Sequence, residues 1–303
     1  MRIFVTGATG FIGSAIVQEL LGAGHHVLGL ARSNASAQAL TQQGAEVHRG
    51  SLEELAGLTR AAASVDGVIH TAFIHDFSNF AASTGVDERA IEALATGLAG
   101  THKPLIVTAG TLGLPPGRLA TEEDSPSAGL PRRSEAAGLA ASAQGVRAMV
   151  MRLPPSVHGD GDHGFIPALI KLARERGASL YVGDGKNRWP AVHRLDAARL
   201  YRLALEQGSG GARLHAVADE GISLREIAEL IARRLNVPAE SRTPEEAVAL
   251  LGFIGHAIAM DSPASSGLTR RRLDWNPRQP GLLEDLTTGR YFDTAEATGL
   301  PRS

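Results

Sequence analysis

The chain has 303 residues, 43% of them hydrophobic, and its formal charges nearly cancel at −2. That is enough apolar material for a large α/β domain with a smaller companion. The near-neutral balance, with no long Lys or Arg run, argues against a nucleic-acid or anionic-membrane surface. There is no cysteine, which excludes disulfides, thiolate metal ligands and a cysteine nucleophile, and fits a reducing cytosol. Arg2 and the apolar residues after it look like the start of a signal peptide, but Gly7, Gly10 and Gly13 interrupt the run and Glu19 follows. No stretch reaches the ~18–20 apolar residues of a membrane span. The expectation is a soluble, cytoplasmic protein.

Taken in chain order, short apolar runs at 2–5, 26–30, 45–48, 67–72, 104–108 and 147–152 read as strands. Between them, 11–22, 35–43, 52–62, 87–98 and 133–143 read as helices. In the first helix Ile12, Ile16 and Leu20 recur at spacing four, with Ala15 and Ala23 on the same side. Regular strand–helix alternation predicts a doubly wound parallel sheet of the Rossmann type. After about residue 153 the rhythm changes: loops carry Pro, Gly and His, and helices are expected at 165–175, 196–206 and 223–235. Residues 1–155 are therefore assigned to the dinucleotide-type domain. Residues 156–303 form a smaller C-terminal substrate lobe over the carboxyl ends of the strands, where such sheets bind ligands. The run 213–217 is expected to rejoin the sheet.

The stretch TGATGFIG puts Gly7, Gly10 and Gly13 directly after the first strand. Gly7 permits a tight turn, Gly10 lets a pyrophosphate lie against bare backbone, and Gly13 lets the helix pack closely on the strand. The helix then offers free N–H groups and a positive dipole end to phosphates. Thr9, Phe11 and Ile12 complete this cofactor loop. The second strand ends in Ala31, Arg32 and Ser33, with no carboxylate to bind a ribose 2′-hydroxyl. Arg32 is suited to pair a 2′-phosphate bidentately and Ser33 to donate to it, which favours NADP over NAD.

TGATGFIG, ARS, VIHTAF (68–73), LIVTAGT (105–111) and VHG (157–159) together resemble the short-chain dehydrogenase/reductases, in their extended and atypical branch. That branch includes nucleotide-sugar epimerases and flavonol-type reductases. The resemblance runs the length of the chain and is tightest over the first hundred residues. It implies a Rossmann-type NADP domain with a substrate lobe, and often a homodimer formed through sheet-flanking helices. It also implies that Thr71, Ala72 and Phe73 line the adenosine–ribose side, that Thr108 sits near the nicotinamide ribose, and that Pro154, Pro155 and Ser156 lie near the nicotinamide. The family's frequent acid after the third strand is Ser51 here, so adenine recognition would fall to Leu52 and backbone groups.

In that family a Ser orients the carbonyl, and a Tyr-x-x-x-Lys pair handles the proton, the Lys lowering the Tyr pKa. Here Ala109 and Gly110 stand at the serine station. Counting back from Glu135, the tyrosine and lysine stations fall on Ser127 and Pro131, and DSPSAGLPRRSE contains neither residue type. Tyr181, Tyr201 and Tyr291 are remote in sequence. Three readings follow. In the first, an oxidoreductase works with substitutes on a small organic carbonyl or alcohol. Thr111 then supplies the orienting hydroxyl, Arg133 or its neighbour Arg132 the positive charge, and His193, ahead of His158 and His163, the acid. His158 is more naturally a packing or hydrogen-bonding residue, and Asp196 is expected to cap the helix at 196–206. In the second, the protein binds NADP without turnover, as a redox sensor or regulatory module. In the third, HGDGDHG (158–164) holds a metal, but its glycines also make an ordinary tight loop, and no metal is expected. The aromatic and His content of 156–194 suits a substrate-shaped wall and favours the enzyme. A sugar-nucleotide epimerase or dehydratase leans hardest on the absent tyrosine. Two late signals complete the chain. Ser223 and Glu226 form a capping box. Arg270 and Arg271 lie in a salt-bridged surface segment, although extended members often use a late Arg for a nucleotide-sugar phosphate.

Overall fold

A computed structural model describes residues 1–74, 79–127 and 132–293. Seven parallel strands form the main sheet: β1 (Arg2–Thr6), β2 (His26–Ala31), β3 (Glu46–Arg49), β4 (Gly67–His70), β5 (Pro104–Gly110), β6 (Arg147–Leu153) and β10 (Arg213–His215). Their order is β3-β2-β1-β4-β5-β6-β10. The order reverses between β1 and β4, where register pairs Ile3 with Gly67 and Thr6 with His70. Ligands of doubly wound sheets bind at such a switch point.

The strands read as apolar runs because both faces are covered. On one face Ile3, Val5, Ile69 and Ile106 pack against α1 (Phe11–Gly22), α2 (Asn34–Gln43) and α7 (Arg194–Gln207). On the other, Phe4, Val68, Leu105 and Val107 meet α3 (Leu55–Ala63) and α4 (Phe80–Leu98). Next to α4 stands α5 (Ser134–Ala140), continued by a short 3₁₀ turn. The expected elements are present within a few residues, apart from α4, which starts seven residues early.

The smaller lobe is built on β7 (Ser156–His158), β9 (Arg188–His193) and β11 (Asp219–Ser223), with β8 (Ser179–Val182) paired to β12 (Ala239–Arg242). Its core gathers Trp189 and Ala191 with residues of α6 (Phe165–Arg176), α8 (Leu224–Leu235), α9 (Pro244–Leu251), α10 (Phe253–Ile258) and α12 (Leu282–Thr288). The capping box of Ser223 and Glu226 starts α8 as expected. Two elements beyond residue 155 complete the large layer: α7 packs on α1, and β10 pairs with β6 through Arg213–Val150. Both are also met by α11 (Gly267–Leu273). The run 213–217 thus rejoins the main sheet as expected. Among the described residues no helix is long and apolar enough to cross a membrane.

Candidate functional site

The glycine loop forms a close-packed turn from β1 into α1. Gly7 has φ +68°, and a Cβ there would lie 2.7 Å from Ala72 N. A Cβ on Gly13 would fall 1.9 Å from the Gly7 carbonyl oxygen, so helix and turn touch through bare backbone. Gly10 is different. It donates its N–H to Gly7 O at 2.9 Å, caps α1 without a side chain, and meets only Gly7 O, at 3.2 Å, where a Cβ would stand. The first turn of α1 carries no acidic residue, so no carboxylate of that turn competes for its free N–H groups. The residues fit a phosphate-bearing ligand: Gly10 presents bare backbone with no side chain in the way, and the helix end is positive.

At the end of β2, Arg32 is exposed and forms no ion pair or hydrogen bond with another described residue. Ser33 is the N-cap of α2, accepting from Ser36 N at 3.1 Å and donating to Ser36 Oγ. The first turn of α2 also lacks an acid. Ser51 turns the chain after β3, accepting from Glu53 N at 3.3 Å, and Leu52 packs on the α3–α4 side of the core.

Thr71 and Thr108 face inward. Thr71 Oγ1 donates to Thr6 O at 2.8 Å. The Thr6 hydroxyl accepts from Ala72 N and donates to His70 Nδ1 at 2.8 Å, while His70 Nε2 donates to Asp87 Oδ1 at 3.0 Å. Ser134 Oγ donates to the other Asp87 oxygen and accepts from Arg132 Nε at 2.8 Å. Arg132 also donates to Thr108 O at 3.1 Å, and its guanidinium sits 4.3 Å over the Phe73 ring. Thr108 Oγ1 donates to His70 O and receives the Tyr201 hydroxyl, both at 2.7 Å. Burial pushes Asp87 upward, but His70, Ser134 and Arg132 outweigh it and hold the carboxyl below its ordinary value. Burial lowers Arg132, and burial likewise raises the fully enclosed Tyr201 phenol.

The candidate catalytic residues each have their own surroundings. Arg133 is well exposed and reaches Glu88 at 3.5 Å, whereas Arg132 is the arginine drawn into the switch-point network. Thr111 is fully buried, with its hydroxyl unpartnered among the described residues. His193 closes β9 and caps α7, its Nδ1 accepting from Leu195 N at 3.2 Å, so the proton rests on Nε2. Burial, then the nearby His158, hold it below the usual imidazole range. The helix begins two residues before the expected 196. Asp196 therefore does not cap it; its carboxylate instead accepts from Arg278 N and Gln279 N at 2.9–3.0 Å. Ser127 donates its N–H to Gly113 O, and Pro131 lies outside the described residues.

Pro154 and Ser156 are buried and Pro155 half-buried; the Ser156 hydroxyl has no partner among the described residues. The potential ligands of 158–164 point to different places. His158 Nδ1 meets Asp285 at 2.7 Å, Asp162 accepts from Gly164 N and from the Tyr291 hydroxyl, and His163 stands edge-on to Phe11. Among the described residues no group of three His, Asp or Glu side chains could hold a metal ion. Arg270 turns inward to Ser266 Oγ and Ala218 O, while Arg271 is exposed. Sequence reading missed His70, Asp87, Ser134 and the approach of Tyr201, because each lies on a different element and only pairing across the sheet brings them together.

The NAD dependent epimerase/dehydratase family matches residues 3–92 and 134–217. The chain is 49% identical over 295 residues to an uncharacterised protein of Schizosaccharomyces pombe, covering 96% of this chain and all of that one. It is 29% identical over 257 residues to the 2-alkyl-3-oxoalkanoate reductase of Stenotrophomonas maltophilia, covering 78% and 77% of the two chains. Among solved structures, the dTDP-glucose 4,6-dehydratase DesIV of Streptomyces venezuelae with NAD and TYD bound superposes with TM-score 0.78 at 20% identity, over 96% of this chain and 97% of that one. The UDP-glucose 4-epimerase of Thermus thermophilus in complex with NAD gives 0.74 at 20% identity, over 94% and 96%. With its seven parallel strands, its glycine turn at the switch point and these matches, the chain belongs to the NAD dependent epimerase/dehydratase family, within the extended short-chain dehydrogenase/reductases.

Proposed function

We propose that the protein is an NADP-dependent oxidoreductase that interconverts a carbonyl and an alcohol on a small organic molecule. The observation that carries the reading is the pair of acid-free anion seats at the ends of β1 and β2. One is the glycine cradle before α1; the other is the unpaired Arg32 beside the acid-free start of α2. The first suits a pyrophosphate and the second a 2′-phosphate, which supports NADP over NAD. The solved structures of DesIV and the Thermus epimerase hold NAD, so the preference for NADP rests on Arg32. The reductase and ketoreductase names of two relatives at 29% and 26% identity support carbonyl chemistry.

When bound, a nicotinamide coenzyme supplies or takes the hydride. The chain's own part is orientation and charge. Arg132, fixed by Ser134, Thr108 O and the Phe73 ring, takes the cationic role in place of Arg133. No tyrosine in the chain is followed four residues later by a lysine, which weighs against epimerase or dehydratase chemistry.

The test is fluorescence titration of the full chain with NADPH and NADH, followed by NADPH consumption with a panel of aldehydes and ketones. Arg32→Asp should weaken NADPH about 10- to 100-fold, the worth of a charge-assisted contact, and leave NADH within about twofold. Equal effects on both coenzymes would remove Arg32 from the site. Binding without turnover of any carbonyl would favour a sensor.

A further inference from the structure

Beside the glycine turn, the start of α7 presents a cation that has no ion pair among the described residues. Arg194 is the first residue of α7, and its guanidinium lies 5.1 Å over the ring of Phe11, the first residue of α1. It is half-buried and forms no ion pair or hydrogen bond with another described residue. Its side chain runs along Gly159 and Gly161. Cβ atoms on those glycines would stand 3.3 Å from its Cγ and 3.8 Å from its Nη1, and both glycines have positive φ. The loop is anchored from behind. The Tyr291 hydroxyl accepts from Gly159 N at 3.0 Å and donates to Asp162 at 2.9 Å, while Asp162 accepts from Gly164 N at 2.7 Å. From the same loop His163 meets Phe11 edge-on, with ring centroids 5.7 Å apart.

This arrangement places an unpaired guanidinium beside the positive end of a twelve-residue helix whose first turn holds no acid. Like charges so placed repel unless an anion sits between them. An arginine kept there by glycines that make room for it, and by a loop tied down at Tyr291, is set for a multiply charged ligand.

Resting on the NADP reading above, we propose that Arg194 closes over the dinucleotide pyrophosphate from the side opposite Gly10. Tyr291 acts as the positioning residue that holds the 159–164 loop against it. The pyrophosphate is then gripped from two helix starts: backbone N–H groups of α1 on one side and a bidentate guanidinium from α7 on the other. The contact is to a part common to all nicotinamide dinucleotides, so Arg194 sets affinity while Arg32 sets the choice between them.

The experiment measures dissociation constants of the full chain by titration with NADPH and with 2′-phospho-ADP-ribose, which keeps both bridging phosphates and lacks the nicotinamide. Arg194→Ala should weaken both by the same factor, about 10- to 100-fold, and Arg194→Lys should recover most of the loss. Tyr291→Phe should weaken both several-fold in parallel and lower the protection of Gly159 and Gly161 amides from hydrogen exchange. Parental affinity in a folded Arg194→Ala chain overturns the assignment, as does a loss confined to NADPH, which would move Arg194 to the nicotinamide. Failure of the parent to bind either ligand overturns the NADP reading itself.

Discussion

Two glycines three residues apart, Gly10 and Gly13, should respond to alanine in opposite ways. A Cβ on Gly13 lies 1.9 Å from Gly7 O, 2.7 Å from Gly7 C and 3.1 Å from Ala8 Cα. That is about 1.5 Å short of ordinary contact, against backbone on every side. The turn has no slack, since Gly7 already abuts Ala72 and its carbonyl holds the Gly10 N–H. Overpacking of this kind costs about 3 kcal/mol or more, a fall of roughly 6 °C in Tm for a chain of this size. Gly10 has φ −74°, and its Cβ would meet one oxygen at 3.2 Å. Alanine there asks for a shift of a few tenths of an ångström and should cost under about 1 kcal/mol. Its methyl group fills the space where a phosphate would touch the backbone, so NADPH affinity should fall about 10- to 100-fold through lost charge-assisted contacts. Calorimetric Tm and fluorescence titration, run on both variants, separate the two effects. The reasoning fails if Gly10→Ala melts as early as Gly13→Ala, or if it binds NADPH like the parent.

His215 is fully buried and pushed down to about 4, chiefly by burial; its Nδ1 donates to Ser265 O and its Nε2 accepts from Arg152 at 3.1 Å. Unfolding exposes an imidazole of pKa ~6.5 that takes up a proton first, so stability should fall by up to about 3 kcal/mol as pH drops from 6.5 towards 4. Urea titrations across that range should show a flatter pH dependence in His215→Gln, and an unchanged slope would refute the assignment. Arg132 and Arg133 should differ sharply in the same assay. Arg133→Ala removes an exposed 3.5 Å pair and should stay within about 0.5 kcal/mol, whereas Arg132→Ala leaves Ser134, Thr108 O and nearby Asp87 under-satisfied at a cost of about 3 kcal/mol; similar losses would contradict the network.

How far the sequence was legible follows from the range of the forces involved. The strands of the large sheet and the helices between them were readable because burial on both faces imposes apolar runs and helical spacing locally. The glycine turn was readable because its three constraints sit within seven residues. What escaped depends on pairing between distant segments. Arg132 and Arg133 are indistinguishable by composition, yet α5 begins at Ser134 and the residue before it turns outward while its neighbour turns in. Tyr201 looked remote, yet α7 returns to α1 and brings its hydroxyl 2.7 Å from Thr108. The run 213–217 was readable as a further strand of the main sheet, but its place beside β6 is set by pairing between segments about sixty residues apart.

That long-range pairing also shapes what the site offers. At the carboxyl ends of β1, β4 and β5 the polar side chains Thr6, His70, Thr108 and Tyr201 satisfy one another and Asp87. A buried network of this kind is rigid because leaving any member unpaired is costly. Among the described residues, what stands nearest the glycine turn is bare backbone, the Phe11 ring with His163 edge-on to it, and the Arg194 guanidinium. Such a surface selects by negative charge and by the shape of a phosphate-bearing molecule. In the reaction proposed above Arg132 can serve as a fixed charge though not as a proton donor, since a guanidinium holds its proton throughout the working pH range.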